Sequence, residues 1–193
     1  MRLAERIRRM LDGPAAGPPI VGDLPELRAS ASIAAAVLIA ITDRDRPGVL
    51  LTVRRENLRT HAGQIAFPGG RIDPGEAIIA AALREAQEEI GLDPSAAEPV
   101  GRLDDYRTVT GFIVAPVIAI VPPELDLAPH EPEVAEWFEA PLEYLLDPAH
   151  QKLETAVFGG HERRYWQIEW NGRPIWGATA AMLVNLSRRL QWS

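Results

Sequence analysis

Cysteine is absent from this sequence, and lysine occurs once, at Lys152. The first absence excludes a disulfide framework, a thiolate zinc site and a cysteine nucleophile, so any bound metal must rest on oxygen or histidine. The second leaves arginine to carry almost all of the positive charge, and from Asp43 to Arg71 six arginines stand against Asp43, Asp45 and Glu56. Arginine forks suit bidentate capture of phosphate oxygens, although the arginine total by itself is read as a matter of composition. Long apolar runs are also missing. No segment approaches the roughly 20 apolar residues of a membrane span, and the basic start MRLAERIRRMLDG lacks the unbroken apolar core of a signal peptide. Glu5 and the lack of serine there speak against an organelle-targeting helix, so the expected setting is cytoplasmic, with no membrane partner. The formal charge of −7 argues against nucleic acid as a partner, since that needs a broad basic face.

At 193 residues and 47% apolar, the chain can bury a full core as one domain. Residues 1–12 read as a short helix, and GPAAGPPIVGDLP reads as a linker that can drape over the domain, because its prolines and glycines break regular patterns. This divides the chain into an N-terminal helix and linker over 1–30 and a main domain over 31–193. The apolar run over 30–41, closing at Thr42, and GVLLTVRR (48–55) read as strands joined through DRDRPG. HAGQIAFPGG carries a third short strand into a Pro-Gly-Gly turn. From Pro74, EAIIAAALREAQEEIGL is helical by composition, with Gly91 as its stop. EPVGRLDDYRTV and FIVAPVIAIVP read as further strands, and PLEYLLD as a short helix opened by Pro141. HERRYWQIEWNGRPIW reads as a hairpin around Asn171-Gly172, and a closing helix spans about Thr179 to Leu190. The sum is a mixed α/β domain.

Within the long helix, 100° per residue places Ile79, Ala82, Leu83, Ala86 and Ile90 on one stripe and Glu85, Glu88 and Glu89 on the adjoining arc. Carboxylates so spaced repel, each adjacent-turn pair costing about 0.2–0.5 kcal/mol even when exposed. A hard dication such as Mg²⁺ or Mn²⁺ compensates such a cluster with oxygen ligands and leaves room for phosphate. A bare E-x-x-E-E would be read as a solvated acidic face. The preceding FPGGRIDPGE changes that, because Gly69 and Gly70 allow close backbone approach, and Glu76 stands eight residues before Arg84, within reach of an ion pair that would tie turn to helix.

Gly70, Glu76, Arg84, Glu85, Glu88, Glu89, Gly91 and Leu92, with Ala86 at the apolar position, resemble the Nudix box in full over 23 residues. The resemblance implies the Nudix-type α/β/α sandwich with a mixed sheet and hydrolysis of a nucleoside diphosphate linked to another group. It implies Glu85 and Glu89 as metal ligands, Glu88 as a further ligand and Arg84 with Glu76 as a supporting pair. Glu85 and Glu88 stay open as candidates for direct catalytic roles. Upstream, Leu50-Leu51-Thr52, Arg54, Arg59, Gly63 and Phe67-Pro68-Gly69-Gly70 resemble the pattern that accompanies the box in coenzyme A pyrophosphatases. Arg55 departs from it, standing where that subfamily tends to carry Ser or Ala. WGATAAMLVNLSRRL is similar to the subfamily's closing helix.

The implied reaction is metal-dependent hydrolysis of coenzyme A or its derivatives to 3′,5′-ADP and 4′-phosphopantetheine or its acyl form. Arg54, Arg55, Arg59, Gly69 and Gly70 are the substrate-binding candidates. EPEVAEWFEAPL resembles the Nudix segment that often supplies a general base, which makes Glu133 and Glu136 candidates beside the plainer reading of an acidic loop before a strand. His61 reads as a hydrogen-bonded structural residue, and His130, His150 and His161 have no metal spacing. Two alternatives remain: the same chemistry on ADP-ribose, a dinucleoside polyphosphate or NADH, and a catalytically idle module that binds a nucleotide or a protein. The expected partner is a small-molecule substrate, with self-association into a homodimer left open.

Overall fold

The computed structural model describes residues 1–23, 32–56, 63–158 and 160–192. In chain order its first half comprises α1 (Leu3–Asp12), β1 (Ile33–Thr42), β2 (Gly48–Arg54), β3 (Ile65–Ala66), β4 (Gly69–Arg71) and α2 (Ile78–Ile90). The second half comprises β5 (Glu98–Arg102), β6 (Tyr106–Arg107), β7 (Phe112–Val121), β8 (Val134–Pro141), α3 (Leu142–Leu146), β9 (Gln151–Phe158), β10 (His161–Trp170), β11 (Arg173–Trp176) and α4 (Ala178–Leu190).

β1 and β7 pair in parallel along their whole length, from Ile33 opposite Phe112 to Thr42 opposite Val121. A parallel pair is covered on both faces, which explains why each strand reads as a nearly unbroken apolar run. Alternate residues of β1 enter opposite cores: Ala35, Ile39 and Ile41 on one side, Ala36, Leu38 and Ala40 on the other. The sheet order is β3-β2-β1-β7-β5, with β4 added on β1, β6 on β7 and β8 on β2. All pairings but β1 with β7 are antiparallel, so the sheet is mixed. α2 covers one face, while α1, α3 and α4 share the core of the other, completing an α/β/α sandwich. β9, β10 and β11 form a separate antiparallel sheet whose tight turn has positive φ at both Asn171 (49°) and Gly172 (71°). Those are the residues the hairpin pattern singled out, for the reason that such a turn needs left-handed backbone.

Some sequence expectations shift. The long helix begins at Ile78 rather than directly after Pro74, because Pro74 and Gly75 are spent in the turn. Its buried residues are Ala81, Ala82, Ala86, Glu89 and Ile90, whereas Ile79 is 42% exposed. The inward face is therefore rotated away from the expected stripe, toward the glutamate arc. The single strand expected before the glycines is two, β3 and β4, separated by Phe67-Pro68. β9 was not anticipated at all.

α1 buries Ala4, Ile7 and Leu11 in the core shared with α4. The segment after it lies along α4: Ala16 N–H donates to the Arg188 carbonyl at 2.7 Å, and Ile20 exchanges two hydrogen bonds with the Asn185 side chain at 2.8 and 2.9 Å. Asp23 then reaches the far end of the sheet. Its carboxylate accepts from Tyr106 Oη at 2.5 Å and from Val109 N–H at 2.8 Å.

Candidate active site

The site grows from the turn between β4 and α2. Arg84 donates from Nε to Glu76 Oε1 at 2.9 Å and from Nη2 to Glu76 Oε2 at 3.0 Å, so the ion pair expected from the sequence forms and is bidentate. Its other donors go to the Arg71 carbonyl (2.9 Å), Glu85 Oε1 (2.8 Å) and Glu88 Oε2 (3.3 Å). A guanidinium has five N–H donors, and all are engaged. Arg84 thus fixes the turn to the helix. The hydrogen bond to Arg84, with one from Asp73 N–H, holds the Glu76 carboxyl below its ordinary range. Its bonds to Glu76 and Glu85 push the Arg84 guanidinium upward.

One turn further along α2, Glu89 is 5% exposed. Its Oε2 accepts from Gly69 N–H at 3.2 Å, and Oε1 lies 3.8 Å from Arg54. Burial pushes this carboxyl up to about 7 against the pull of those two partners. Burial also raises Glu85, which Arg84 lowers and the charges of Glu88 and Glu133 raise further. Glycine is required beside it: a Cβ on Gly70 would fall 2.4 Å from the Glu85 carboxyl carbon. The backbone therefore comes against the carboxylate where any side chain would stand.

Carboxylates buried together and raised by one another's charge form a hard-oxygen set in want of positive charge, and this chemistry suits a divalent cation. Among the described residues no three acidic or imidazole groups enclose a single point in this arrangement, with Arg84 bridging Glu85 and Glu88 and Arg54 beside Glu89. Glu88 is the outermost of the three, with a side chain 59% exposed.

On the other side of β1 and β4 from α2 lies a cavity of about 830 Å³. One wall is the main sheet, with Val37, Arg54, Phe67, Gly69, Gly70 and Phe112; the opposite wall is the hairpin sheet and the start of α4, with Arg163, Arg164, Trp176 and Met182. Asp23 and residues 108–110 complete its rim. Arg54 enters the cavity with its Nε buried and without a hydrogen-bond partner. Arg55 Nε is likewise buried and unpartnered, but Arg55 is not among the lining residues, and its N–H donates to the Glu133 carbonyl at 3.1 Å.

The structure therefore brings Glu76, Arg84, Glu85, Glu88 and Glu89 together with Gly69, Gly70 and Arg54. Of the two base candidates, only Glu133 acts electrostatically on Glu85 and Glu89; Glu136 is bonded to Arg173. Glu133 comes close because the preceding loop is tied to the end of α2, Ala128 N–H donating to the Ile90 carbonyl and His130 N–H to that of Glu89. Arg59 and His61 lie outside the described residues. His150 stacks on Tyr144 at 3.6 Å, away from the site. Sequence reasoning missed Asp23, Arg163, Arg164 and Trp176 as lining one cavity, because their common address depends on strands far apart in the chain; the adjacent pair Arg163-Arg164 was a local signal.

An acidic helix locked to a glycine turn, on a mixed sheet between helical layers, is an arrangement suited to a dication beside a phosphate group. Residues 32–157 match the NUDIX domain family, and the chain belongs to the Nudix hydrolases. It is 44% identical over 157 residues to the uncharacterized Nudix hydrolase NudL of Citrobacter koseri, covering 81% of this chain and 82% of that protein. The same identity and coverage hold for NudL of Salmonella newport. Among solved structures, the M. smegmatis Nudix hydrolase RenU aligns with a TM-score of 0.53 and 24% identity, over 68% of this chain and 84% of that one. A C. elegans Ap4A hydrolase binary complex aligns with a TM-score of 0.50 and 22% identity, over 56% and 80%. These two likenesses concern the fold. Nudix hydrolases generally use divalent cations such as Mg²⁺ or Mn²⁺. No helix among the described residues is long and apolar enough to cross a membrane.

Proposed function

We propose that this enzyme hydrolyses the diphosphate of coenzyme A or its derivatives, giving 3′,5′-ADP and 4′-phosphopantetheine or its acyl form. The observation that carries the reading is the cavity of about 830 Å³ that opens on Gly69, Gly70 and Arg54. Its size suits a large substrate, its walls are largely apolar, and Gly69, Gly70 and Arg54, which line it, also lie against Glu85 and Glu89. The arginine and glycine pattern over residues 50–70 supports the same substrate.

In this reading Glu85, Glu88 and Glu89 hold Mg²⁺ or Mn²⁺, which when bound neutralises charge on the diphosphate and lowers the pKa of an attacking water. Arg84 and Glu76 keep the carboxylates in place. Arg54, carrying a buried donor without a partner, orients the diphosphate oxygens, and Arg55 and Arg59 extend the same positive stretch. The Gly69-Gly70 backbone lets the substrate approach the carboxylates without a side chain between them. Glu133, coupled to Glu85 and Glu89, receives the proton of the attacking water; Glu136 is bonded to Arg173 and is the weaker candidate.

Separation of the products formed from coenzyme A with Mg²⁺ tests this directly. Appearance of 3′,5′-ADP and 4′-phosphopantetheine in equal amounts, abolished in Glu85→Gln, is the expected result. Intact coenzyme A, or cleavage at another bond, would overturn the reading.

A further inference from the structure

The cavity's charge does not match that of the chain. The protein carries a formal −7, yet among the described residues the cavity lining contains Arg54, Arg71, Arg163 and Arg164 against one acid, Asp23. Asp23 accepts from Tyr106 Oη and Val109 N–H and forms an ion pair with none of these arginines. Arg54 approaches Glu89, and Arg71 lies over the Phe112 ring at 5.9 Å. Arg163 and Arg164 pair with no carboxylate among the described residues, although they stand on β10, whose register with β9 sets Tyr165 opposite Glu154. Like charges on residues lining one cavity from two walls repel one another, and a polyanionic ligand is their complement.

A scissile diphosphate beside a dication needs few of these arginines. The two on the hairpin wall belong to a different sheet from Gly69, Gly70 and Arg54, and to a part of the chain beyond the matched NUDIX residues 32–157. We infer that the Arg163-Arg164 stretch of β10, which lines the cavity where β11 does not pair with it, offers a guanidinium to a phosphate monoester of the substrate, separate from the diphosphate that is cleaved. The inference rests on the proposed reaction for the position of the diphosphate, and it makes the hairpin a specificity element. Substrates bearing a further phosphate on the nucleoside would then be selected over otherwise identical ones without it. Charge-assisted bonds from a guanidinium to phosphate are strong and directional enough to make that selection.

The test compares adenosine 3′,5′-bisphosphate with adenosine 5′-monophosphate by calorimetry at constant ionic strength, without metal. Wild-type protein should bind the bisphosphate about tenfold tighter or more, and Arg163→Ala/Arg164→Ala should bring the ratio near one while leaving the monophosphate affinity as it was. In turnover, the double variant should raise KM for coenzyme A but not for dephospho-coenzyme A, with kcat retained. Equal binding of both probes by wild type, or an undiminished ratio in the variant, overturns the inference. Should the double variant fail to fold, Arg163→Ala and Arg164→Ala are measured singly, and at least one of them must still reduce the ratio. The two readings fail separately: a phosphate-dependent ratio with no coenzyme A hydrolysis sinks the substrate, whereas coenzyme A hydrolysis with no such ratio sinks the role of the hairpin.

Discussion

The two faces of the sheet are packed differently. Among the described residues, six of the twelve in the buried core on the α2 face are alanine, among them Ala36, Ala82 and Ala86; on the opposite face five of twenty-eight are. Interiors are close-packed, so small side chains mean that the helix backbone lies close to the sheet. That proximity puts Glu85 against Gly70 and the Glu89 carboxylate on Gly69 N–H. The opposite face is built from larger groups such as Ile7, Ile39, Ile118 and Leu183, and it anchors α1 and α4. In the proposed reaction the acidic face positions the chemistry, while the bulky face holds the fold and one wall of the cavity.

Several substitutions sharpen this contrast, beginning with the largest effect. Glu89→Gln should lower turnover on the order of 10²–10³-fold, by analogy with loss of one pre-organised electrostatic group, with the circular dichroism spectrum unchanged. Retained turnover would break the assignment of chemistry to the α2 face. On the other face, Ile7→Ala should remove about 2–5 kcal/mol of stability in denaturant titration while leaving kcat near wild type. A large fall in kcat at unchanged stability would contradict the division between faces.

Next comes a pH effect on chelator-treated protein. The Glu89 carboxyl is raised from its ordinary 4.5 to about 7, so folding disfavours its ionised form. The stability associated with the neutral carboxyl is fully present below pH 4.5 and is lost as pH rises through 7. The loss amounts to on the order of 3 kcal/mol. Glu89→Gln, which cannot ionise, should therefore unfold at a higher temperature than wild type at pH 8 and at about the same temperature at pH 4. The same melting temperature at both pH values would contradict the buried, ionisable position. The smallest effect is expected from Glu76→Gln, which leaves Arg84 its bonds to Glu85, Glu88 and the Arg71 carbonyl. A reduction of about tenfold in kcat/KM, corresponding to one weakened charge-assisted bond, is the expected reading in steady-state kinetics.

Much of the α2 face was legible in the sequence because its information is local. Gly70, Glu76, Arg84 and the glutamates lie within 23 residues of one another, and the turn and helix that join them have recognisable residues. The ion pair of Glu76 with Arg84 could be foreseen from spacing alone. The rotation of α2 could not, since a buried glutamate looks polar to any periodicity and Ile79 looks apolar although it is exposed. The cavity was less legible still. Asp23, Val109, Arg163 and Trp176 become neighbours only through β6, β7 and the hairpin, and nothing local in 151–158 marked β9 as the strand supporting β10.

The most direct measurement is turnover of coenzyme A against ADP-ribose at equal concentration, with and without Mg²⁺. Faster cleavage of coenzyme A, dependent on the cation, is the predicted result. Faster cleavage of ADP-ribose, or hydrolysis that persists in chelator, would contradict it.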